Sequence, residues 1–421
     1  MLNNGIQATF QQFPGLTADQ CIKCNICTVA CPVSAVSGDF LGPKAVGPQA
    51  ERFRHPRLPI PDASVSLCSG CGTCSRVCPH GVAIAEMNTQ AKARLVDQHG
   101  APLRDQFISR PQLLGQLARP LAETANQLFT SKPVRWSLDR AFGIHPEAPL
   151  PSFSGTTFRS RVAERCLNRP PVDLGDENWV AYFHGCSTNH YEPHIGELTV
   201  AILEKLGCRV IVPPQGCCGL PLQSNGLFNA ARRYAKKNVK ALLPFIEGGI
   251  PIVGTSTSCT LQLKHEYRAV LGLQGHGYDE LAFATRDFFE WIIESLWDAL
   301  LKLQLEPVNG RVLYHAPCQL KSHWMGTPAL QVLRLIPGLE IVISQSECCG
   351  VAGTYGVKSE KYHIARDVGQ SLFDQVDDAV PDWLLTDSET CRWWVEHHTG
   401  VPARHPLELL ATAMRIIPQA Q

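Results

Sequence analysis

The chain has 421 residues, of which 38 are Lys or Arg and 38 are Asp or Glu. It therefore lacks the net positive charge that is typical of proteins that bind nucleic acid. A hydrophobic content of 44% and a mean hydropathy of −0.06 are typical of a globular protein, and this length predicts about two to four domains. The first residues lack the basic and apolar regions of a secretory signal, and no apolar run is long enough to span a membrane. We therefore expect a protein on the cytoplasmic side.

Eight cysteines near the start form two copies of one motif, C-x2-C-x2-C-x3-C-P, which we call the two ladders. This is the bacterial ferredoxin spacing for [4Fe-4S] clusters, in which the fourth cysteine ligates the other cluster. Zinc or disulfide cysteines are the alternative, but zinc motifs usually separate two C-x2-C pairs by a longer gap. The predicted ligand sets are Cys21, Cys24, Cys27 and Cys78 for one cluster, and Cys68, Cys71, Cys74 and Cys31 for the other.

The region after the second ladder predicts helices. Residues 83–96 have helix-forming composition and should close a mainly helical ferredoxin-type domain over residues 1–100. Prolines then divide residues 103–145 into short amphipathic, basic helices, within a connector that we assign to residues 101–176. Such helices can lie on an anionic membrane surface or cover the flank of a neighbouring domain.

The second half of the chain contains an internal repeat. Cys186 recurs as Cys318, the pair Cys217-Cys218 recurs as Cys348-Cys349, and Cys259 recurs as Cys391, each 131 or 132 residues later. Each of these cysteines or cysteine pairs follows a short apolar run that predicts a buried strand, and helical stretches separate the runs. Strand–helix alternation predicts a duplicated α/β module with a parallel sheet in each copy, over residues 177–305 and 306–421.

A glycine follows each cysteine pair, giving a CCG motif in both modules. Adjacent residues of a regular strand point to opposite faces, so both thiols can reach one site only where the chain bends, and glycine permits that bend. Four thiolates suit an iron–sulfur cluster or zinc, and a site without metal is the third possibility. The expected sets are Cys186, Cys217, Cys218 and Cys259 in the first module, and Cys318, Cys348, Cys349 and Cys391 in the second.

These motifs resemble known proteins. The second half is similar to the cysteine-rich CCG modules of heterodisulfide reductases and of glycolate and lactate oxidase iron–sulfur subunits. Over essentially its whole length the chain resembles the family of the C subunits of anaerobic glycerol-3-phosphate dehydrogenases. The stretches that carry this likeness are Cys21-Ile22-Lys23-Cys24, Gly42-Pro43-Lys44, Gly47-Pro48, Lys132-Pro133-Val134-Arg135, Phe183-His184-Gly185-Cys186 and Gly353-Thr354-Tyr355-Gly356.

The resemblance implies an electron-transfer subunit that works with a flavoprotein dehydrogenase and a second small subunit. In that family the protein passes electrons to membrane quinone and attaches the complex to the cytoplasmic membrane surface. The chain has no GxGxxG fingerprint at a strand–helix turn, so we expect no flavin or nicotinamide of its own. An alternative is a heterodisulfide reductase-like or glycolate/lactate oxidase subunit whose CCG module is itself catalytic. A second alternative is a CCG half that only anchors the complex.

Some residues depart from the family pattern or lie outside the motifs. The fuller CCG pattern ends in C-x-x-C, whereas Ser256 and Ser388 take the first cysteine's place, which argues against five-cysteine clusters and against a catalytic module. His184 and His315, just before their cysteines, are candidate contributors to a quinone site. Cys166 and Cys208 are expected to be ordinary thiols, and residues 279–303 to form a core or subunit-contact helix.

Overall fold

The first hundred residues fold as short helices around the two ladders. The computed structural model describes residues 14–55, 58, 60–163, 170 and 178–416, so Cys166 lies outside the described residues. Pro32 begins the helix that follows Cys31, where its fixed φ suits the first turn. The α-helices are α1 (Ile26–Val29), α2 (Pro32–Val36), α3 (Thr73–Arg76) and α4 (Ile84–His99), with 3₁₀ turns at Pro14–Gln20 and Ala63–Leu67 and a π-helical turn at Ala45–Gln49. Helix α4 confirms the helix predicted after the second ladder.

The connector is a row of short helices, and a proline is the first or second residue of three of its helical elements, in agreement with the predicted division at prolines. Its helices are α5 (Leu103–Ile108), α6 (Pro111–Ala118), α7 (Ala122–Thr130), α8 (Lys132–Phe142) and α9 (Phe158–Arg161), with a 3₁₀ turn at Arg119–Leu121. One face of α6 packs closely on the first module, since a Cβ at Gly115 would lie 2.5 Å from the Cβ of His190. The hydroxyl of Tyr191 donates to the carbonyl of Pro111 at 2.8 Å. Through these contacts one face of the connector lies against the flank of the first module.

Each of the two modules contains one four-stranded, all-parallel sheet with the same strand order. The orders are β2-β1-β3-β4 and β6-β5-β7-β8. The first sheet consists of β1 (Asn178–Phe183), β2 (Cys208–Ile211), β3 (Ile252–Gly254) and β4 (Thr285–Asp287), and the second of β5 (Gly310–Tyr314), β6 (Leu339–Ile343), β7 (Trp383–Leu385) and β8 (Ala403–Arg404). The predicted duplication is therefore present in the strand order as well as in the sequence.

Helices flank both sheets. Those of the first module are α10 (Gly185–His190), α11 (Pro193–Lys205), α12 (Leu220–Ser224), α13 (Phe228–Glu247), α14 (Thr257–Leu261), α15 (Tyr267–Ala269), α16 (Tyr278–Ala284), α17 (Phe288–Ser295) and α18 (Trp297–Leu301), with a π-helical turn at Gln262–Glu266. Those of the second are α19 (Cys318–Ser322), α20 (Pro328–Leu333), α21 (Ser359–Ala379), α22 (Glu389–Thr399) and α23 (Pro406–Ala413).

The two modules share one apolar core. Val180 and Val253 of the first sheet belong to the same buried cluster as Val312 and Leu385 of the second. Burial of this surface joins the modules, because apolar area removed from water stabilises the pair by about 25 cal/mol per Å². The modules are therefore packed against each other with a continuous apolar interface.

The prediction of one helix over residues 279–303 was wrong. Helix α16 ends at Ala284, β4 follows, and α17 and α18 come after it. Asp287 ends the strand and caps α17, because its carboxylate accepts from the backbone N–H of Phe289 at 3.3 Å, and Glu290 accepts from that of Asp287 at 2.9 Å. This capping box interrupts the apolar run, although Phe288 and Phe289 are buried core residues as expected.

Candidate iron–sulfur and acceptor site

The ladder cysteines come together in the crossed sets. Cys78 lines a small pocket with Cys21, Cys24 and Cys27. Cys31 lines a second one with Cys68, Cys71 and Cys74. The fourth cysteine of each ladder is therefore grouped with the first three of the other, as the ferredoxin spacing predicts.

The backbone of the two ladder loops has the same shape. Lys23 and Asn25 of the first loop have φ values of 64° and 70°, and the equivalent Gly70 and Gly72 have 71° and 78°. Alternating left-handed residues turn successive N–H groups toward one concave face, an arrangement that binds anionic groups such as iron–sulfur clusters. Both loops therefore have the conformation that such a cluster requires.

The CCG cysteines lie where strands end, as predicted. Cys186 follows β1 and Cys259 follows β3, while the Sγ atoms of Cys186 and Cys217 are 3.7 Å apart. In the second module the Sγ atoms of Cys349 and Cys391 are 2.9 Å apart. Each four-thiol set is therefore assembled from three segments that follow strands at one edge of its sheet, two of them in the first turns of helices.

Glycine is required at the bend after each cysteine pair. Gly219 and Gly350 have φ values of 92° and 95°, and a Cβ at Gly350 would lie 1.9 Å from the carbonyl oxygen of Ala365. Their backbone N–H groups donate to the sulfurs of Cys217 at 3.5 Å and of Cys348 at 3.3 Å. Hydrogen bonds of this kind favour the thiolate form that a metal centre needs.

Both CCG sets face one cavity of about 250 Å³, which we call the central cavity. Its wall includes Cys186, Cys218 and Cys259 from the first module and all four cysteines of the second. Cys71 of the second ladder lines it too. The remainder of the wall is largely apolar, with contributions from Ile108, Pro111, Leu114, Leu150, Leu220, Val351 and Trp393.

The second ladder adjoins the second CCG set. Burial and then the neighbouring Cys348 thiol raise the pKa of Cys71 to about 11. Arg76 ties the two regions together, because its Nη1 donates to the carbonyls of Cys71 at 3.0 Å and Cys318 at 3.2 Å and to the Oγ of Ser322 at 3.0 Å. No spacing in the sequence indicated this role for Arg76.

Ser256 and Ser388 occupy comparable buried positions beside the two sets. The hydroxyl of Ser256 donates to the Glu389 carboxylate of the other module, at 3.2 Å to Oε2, and that of Ser187 donates to Oε1 at 2.9 Å. Ser388 instead pairs with the hydroxyl of Thr390 at 3.3 Å. Glu389 was missed by sequence reasoning because its partners lie about 130 and 200 residues away.

Neither candidate histidine lines the central cavity. Burial lowers the pKa of His184 to about 3, and its Nδ1 lies 2.6 Å from the carbonyl oxygen of Gly185. Burial also lowers the pKa of His315 to about 4, and both of its ring nitrogens are buried without a hydrogen-bond partner. Hydrogen bonds with Cys318 and Cys349, and to a lesser extent the nearby His315, lower the pKa of Cys348, so His315 lies in the neighbourhood of the second CCG set.

These features fit iron–sulfur clusters. Four thiols surround each site, backbone N–H groups point at sulfur in the CCG loops, and an unpartnered imidazole lies beside one set.

Comparison with known proteins agrees with this geometry. Residues 17–82 match the 4Fe-4S dicluster domain, and residues 180–264 and 312–396 match the cysteine-rich CCG domain. The chain is 37% identical over 399 residues to the C subunit of anaerobic glycerol-3-phosphate dehydrogenase from Escherichia coli (strain K12), covering 94% of this chain and 98% of that one. The chain belongs to this family of C subunits.

Relatives of lower sequence identity are named as subunits of other reductases. The chain is 25% identical over 382 residues to the B subunit of the fumarate reductase (CoM/CoB) of Methanothermobacter marburgensis, covering 88% of this chain and 66% of the relative. It is 24% identical over 404 residues to the D subunit of the dihydromethanophenazine:CoB–CoM heterodisulfide reductase of Methanosarcina acetivorans, covering 89% and 87%. These relatives are subunits of multi-subunit dehydrogenases or reductases.

The family and the two matched domains make the chain an iron–sulfur electron-transfer protein. In the described part of the chain, no helix combines the length and apolarity needed to span a membrane.

Proposed function

We propose that the chain is the iron–sulfur subunit of a glycerol-3-phosphate:quinone oxidoreductase and carries electrons from a flavoprotein partner to membrane quinone. The observation that carries this proposal is the central cavity, where the second ladder and both CCG sets meet. A ferredoxin-type domain and a small-molecule cavity thus share one wall. The full-length similarity to the Escherichia coli protein supports the choice of substrate and of complex.

The cysteine sets define the proposed ligands. Two [4Fe-4S] clusters take the crossed ladder sets, and further clusters take the four-cysteine sets of the CCG modules. When bound, they would supply one-electron transfer between the two ends of the chain. We propose that residues 1–100, 177–305 and 306–421 provide these sites and that 101–176 provides the contact with the membrane.

Electron entry is proposed at the first ladder. Cys24 is exposed, and Ile22, Val29, Leu41 and Phe53 beside this part of the domain are exposed apolar side chains. Apolar patches around a surface-exposed redox site are typical of a docking surface. We propose that the flavoprotein partner covers this patch, whereas the second small subunit has no assigned site.

Electron exit is proposed at the central cavity. Its volume of about 250 Å³ and its mainly apolar wall suit the ring of a quinone. Leu114→Trp, which fills the cavity from α6, should raise the KM for quinone at least tenfold. Gln116→Trp, exposed on the same helix, is the matched control and should leave quinone kinetics unchanged. Equal kinetics for both variants and the unmodified chain would contradict the assignment.

Membrane contact is proposed for the outer face of the connector. Leu117, Leu121 and Trp136 are 70%, 68% and 60% exposed. Exposed basic side chains Arg119, Lys132 and Arg140 accompany them. Apolar side chains with a basic polar face are typical of helices that lie in an anionic bilayer surface. Arg135 does not belong to this face, because it is buried and donates to the carbonyls of His145 and Pro146 at 2.9 Å.

A liposome experiment tests the membrane proposal. Replacing Leu117, Leu121 and Trp136 together by Ser should abolish co-sedimentation with vesicles that contain anionic lipid. The control replaces Phe283 and Val380, which are apolar residues elsewhere with even greater exposure, by Ser, and this variant should sediment normally. Normal sedimentation of the triple variant would favour a surface that contacts another subunit.

A second candidate function is disulfide reduction by the CCG modules. It is favoured by the arrangement of two cysteine sets around one cavity and by the similarity to the heterodisulfide reductase relative. Ser256 and Ser388 count against it, since they replace two cysteines of the fuller pattern. Assays with quinone and with a low-molecular-weight disulfide, on the same complex, separate the two functions.

A further inference from the structure

Glu266 stands between the central cavity and a second cavity. The second one has a volume of about 130 Å³ and is lined by polar groups that include Ser75, Arg76 and Glu86. We call it the side cavity. Trp324, which also lines it, is 73% exposed, so the side cavity reaches the protein surface. The described residues on both walls are Gly70, Thr89, Glu266 and Gln319. Of these, only Glu266 has an ionisable side chain.

A pair of buried amides holds the Glu266 carboxylate in place. Gln262 donates from Nε2 to Oε1 of Gln223 at 2.7 Å, and Gln223 donates from its own Nε2 to Oε2 of Glu266 at 2.6 Å. Because Oε1 of Gln223 accepts from Gln262, its NH₂ group is directed at the carboxylate. Glu266 ends the π-helical turn Gln262–Glu266, a type of turn that is frequent at functional sites.

We propose that Glu266 passes protons from the side cavity to the acceptor that is reduced in the central cavity. This inference rests on the proposed function. Reduction of a quinone to the quinol takes two electrons and two protons. The electrons would be supplied by the partner flavoprotein through the iron–sulfur sites when these hold their clusters. Each proton leaves the Glu266 carboxyl for a quinone oxygen, and the resulting carboxylate is reprotonated from solvent water through the side cavity.

The electrostatic surroundings of Glu266 are consistent with this role. Burial raises the pKa of Glu266 to about 7. The hydrogen bond from Gln223 opposes this rise, and the negative charge of the Glu86 carboxylate adds to it. Both forms are then populated near neutral pH, which suits a group that gives and takes protons. The charged and titratable groups along the two walls are Arg76, Glu86, Lys92, His265, Arg268, Tyr191, Glu389 and the cavity cysteines. Burial lowers the pKa of His265 to about 4, so this imidazole is neutral at pH 7.

The test compares Glu266→Gln with the unmodified chain in the reconstituted complex. Gln keeps the shape and can still accept from Gln223, but it cannot transfer a proton. We expect quinone reduction to fall at least about a hundredfold, the size of a typical proton-transfer contribution, with little change in KM. Reduction of ferricyanide, which takes electrons without protons, should keep its rate. Glu340→Gln, an exposed site in the second module, is the control and should change neither rate.

Infrared difference spectroscopy gives a readout that does not depend on turnover. A carboxyl band that titrates near pH 7 should be present in the unmodified chain and absent from Glu266→Gln. Glu86→Gln should move this titration, and the pH profile of quinone reduction, to lower pH, because a negative neighbour is removed.

The outcomes are distinguishable. Unchanged quinone kinetics and pH profile in Glu266→Gln would overturn the proton-transfer role. Loss of ferricyanide reduction or of iron in that variant would also overturn it, since Glu266 would then be needed for the electron path or the fold. Failure of the unmodified complex to reduce quinone, with normal ferricyanide reduction, would overturn the proposed function and this inference together.

Discussion

Arg76 connects the ferredoxin-type domain with the second module, and its removal should loosen that connection. Its guanidinium, whose side chain is only 11% exposed, reaches the Cys318 carbonyl and the Ser322 hydroxyl across the interface and also pairs with Glu347 at 3.0 Å. Hydrogen bonds from a charged donor contribute about 1.5–3 kcal/mol each, and the half-exposed Glu347 adds little. The two bonds across the interface are partly buried and share one nitrogen, so we take about 3 kcal/mol for the loss of both together.

Arg76→Met should therefore raise the population in which this interface is open by roughly a hundredfold, at about 1.4 kcal/mol per factor of ten. Amide hydrogen exchange of the anaerobically purified chain measures this, through faster exchange in Cys318–Ser322. Quinone reduction should fall while dye reduction at the ferredoxin-type domain continues. Arg94→Met is the control, because Arg94 is 45% exposed on α4 and pairs with Glu51 of the same domain. Unchanged exchange in Cys318–Ser322 would refute the reasoning.

Three further predictions concern the clusters, the module contacts and pH. Cys74→Ser should lower the iron content by about four atoms per chain, or convert that cluster, and stop quinone reduction; full iron and activity would exclude Cys74 as a ligand. Lys358 donates to Asp105 at 2.7 Å and Asn225 at 2.6 Å, so Lys358→Met should destabilise the connector–module contact by about 3 kcal/mol. Adding Asp105→Asn should recover part of that loss, and additive effects in urea unfolding would show that the pair is uncoupled. Burial raises the pKa of Asp387 from 3.8 to about 6, so the stability that this group contributes is full below about pH 4 and is lost as the pH rises through 6. Asp387→Asn should flatten the pH dependence of the urea midpoint between about pH 5 and 7, and an unchanged slope would count against it.

The sequence predicted the parts of the site that depend on local spacing. The crossed grouping of the ladder cysteines, the bend at Gly219 and the strand-end position of Cys186 all follow from motif spacing and strand geometry. The duplication was visible because it recurs at a constant offset.

The sequence did not predict how the domains meet. The central cavity depends on contacts such as Arg76 with Cys318 and Lys358 with Asp105, which join residues more than 240 positions apart. Single charged residues of this kind have no local pattern that distinguishes them from solvent-exposed ones. The same reason explains why Glu266 and Glu389 were not identified as cavity residues.

The loops of the two ladders also differ in the substitutions that they can accept. In the loop of the first ladder, Lys23 and Asn25 adopt left-handed conformations. Such a conformation costs a residue other than glycine about 1–2 kcal/mol. The loop of the second ladder is more crowded at Gly72, where a Cβ would lie 2.5 Å from the Oγ of Ser322 and would push that hydroxyl aside. Asparagine at Gly72 would therefore displace the Ser322 hydroxyl that accepts from Arg76, whereas glycine at Asn25 meets no such contact. Although the loops have one shape, a substitution in the loop of the second ladder disturbs a contact between domains, and one in the loop of the first ladder does not.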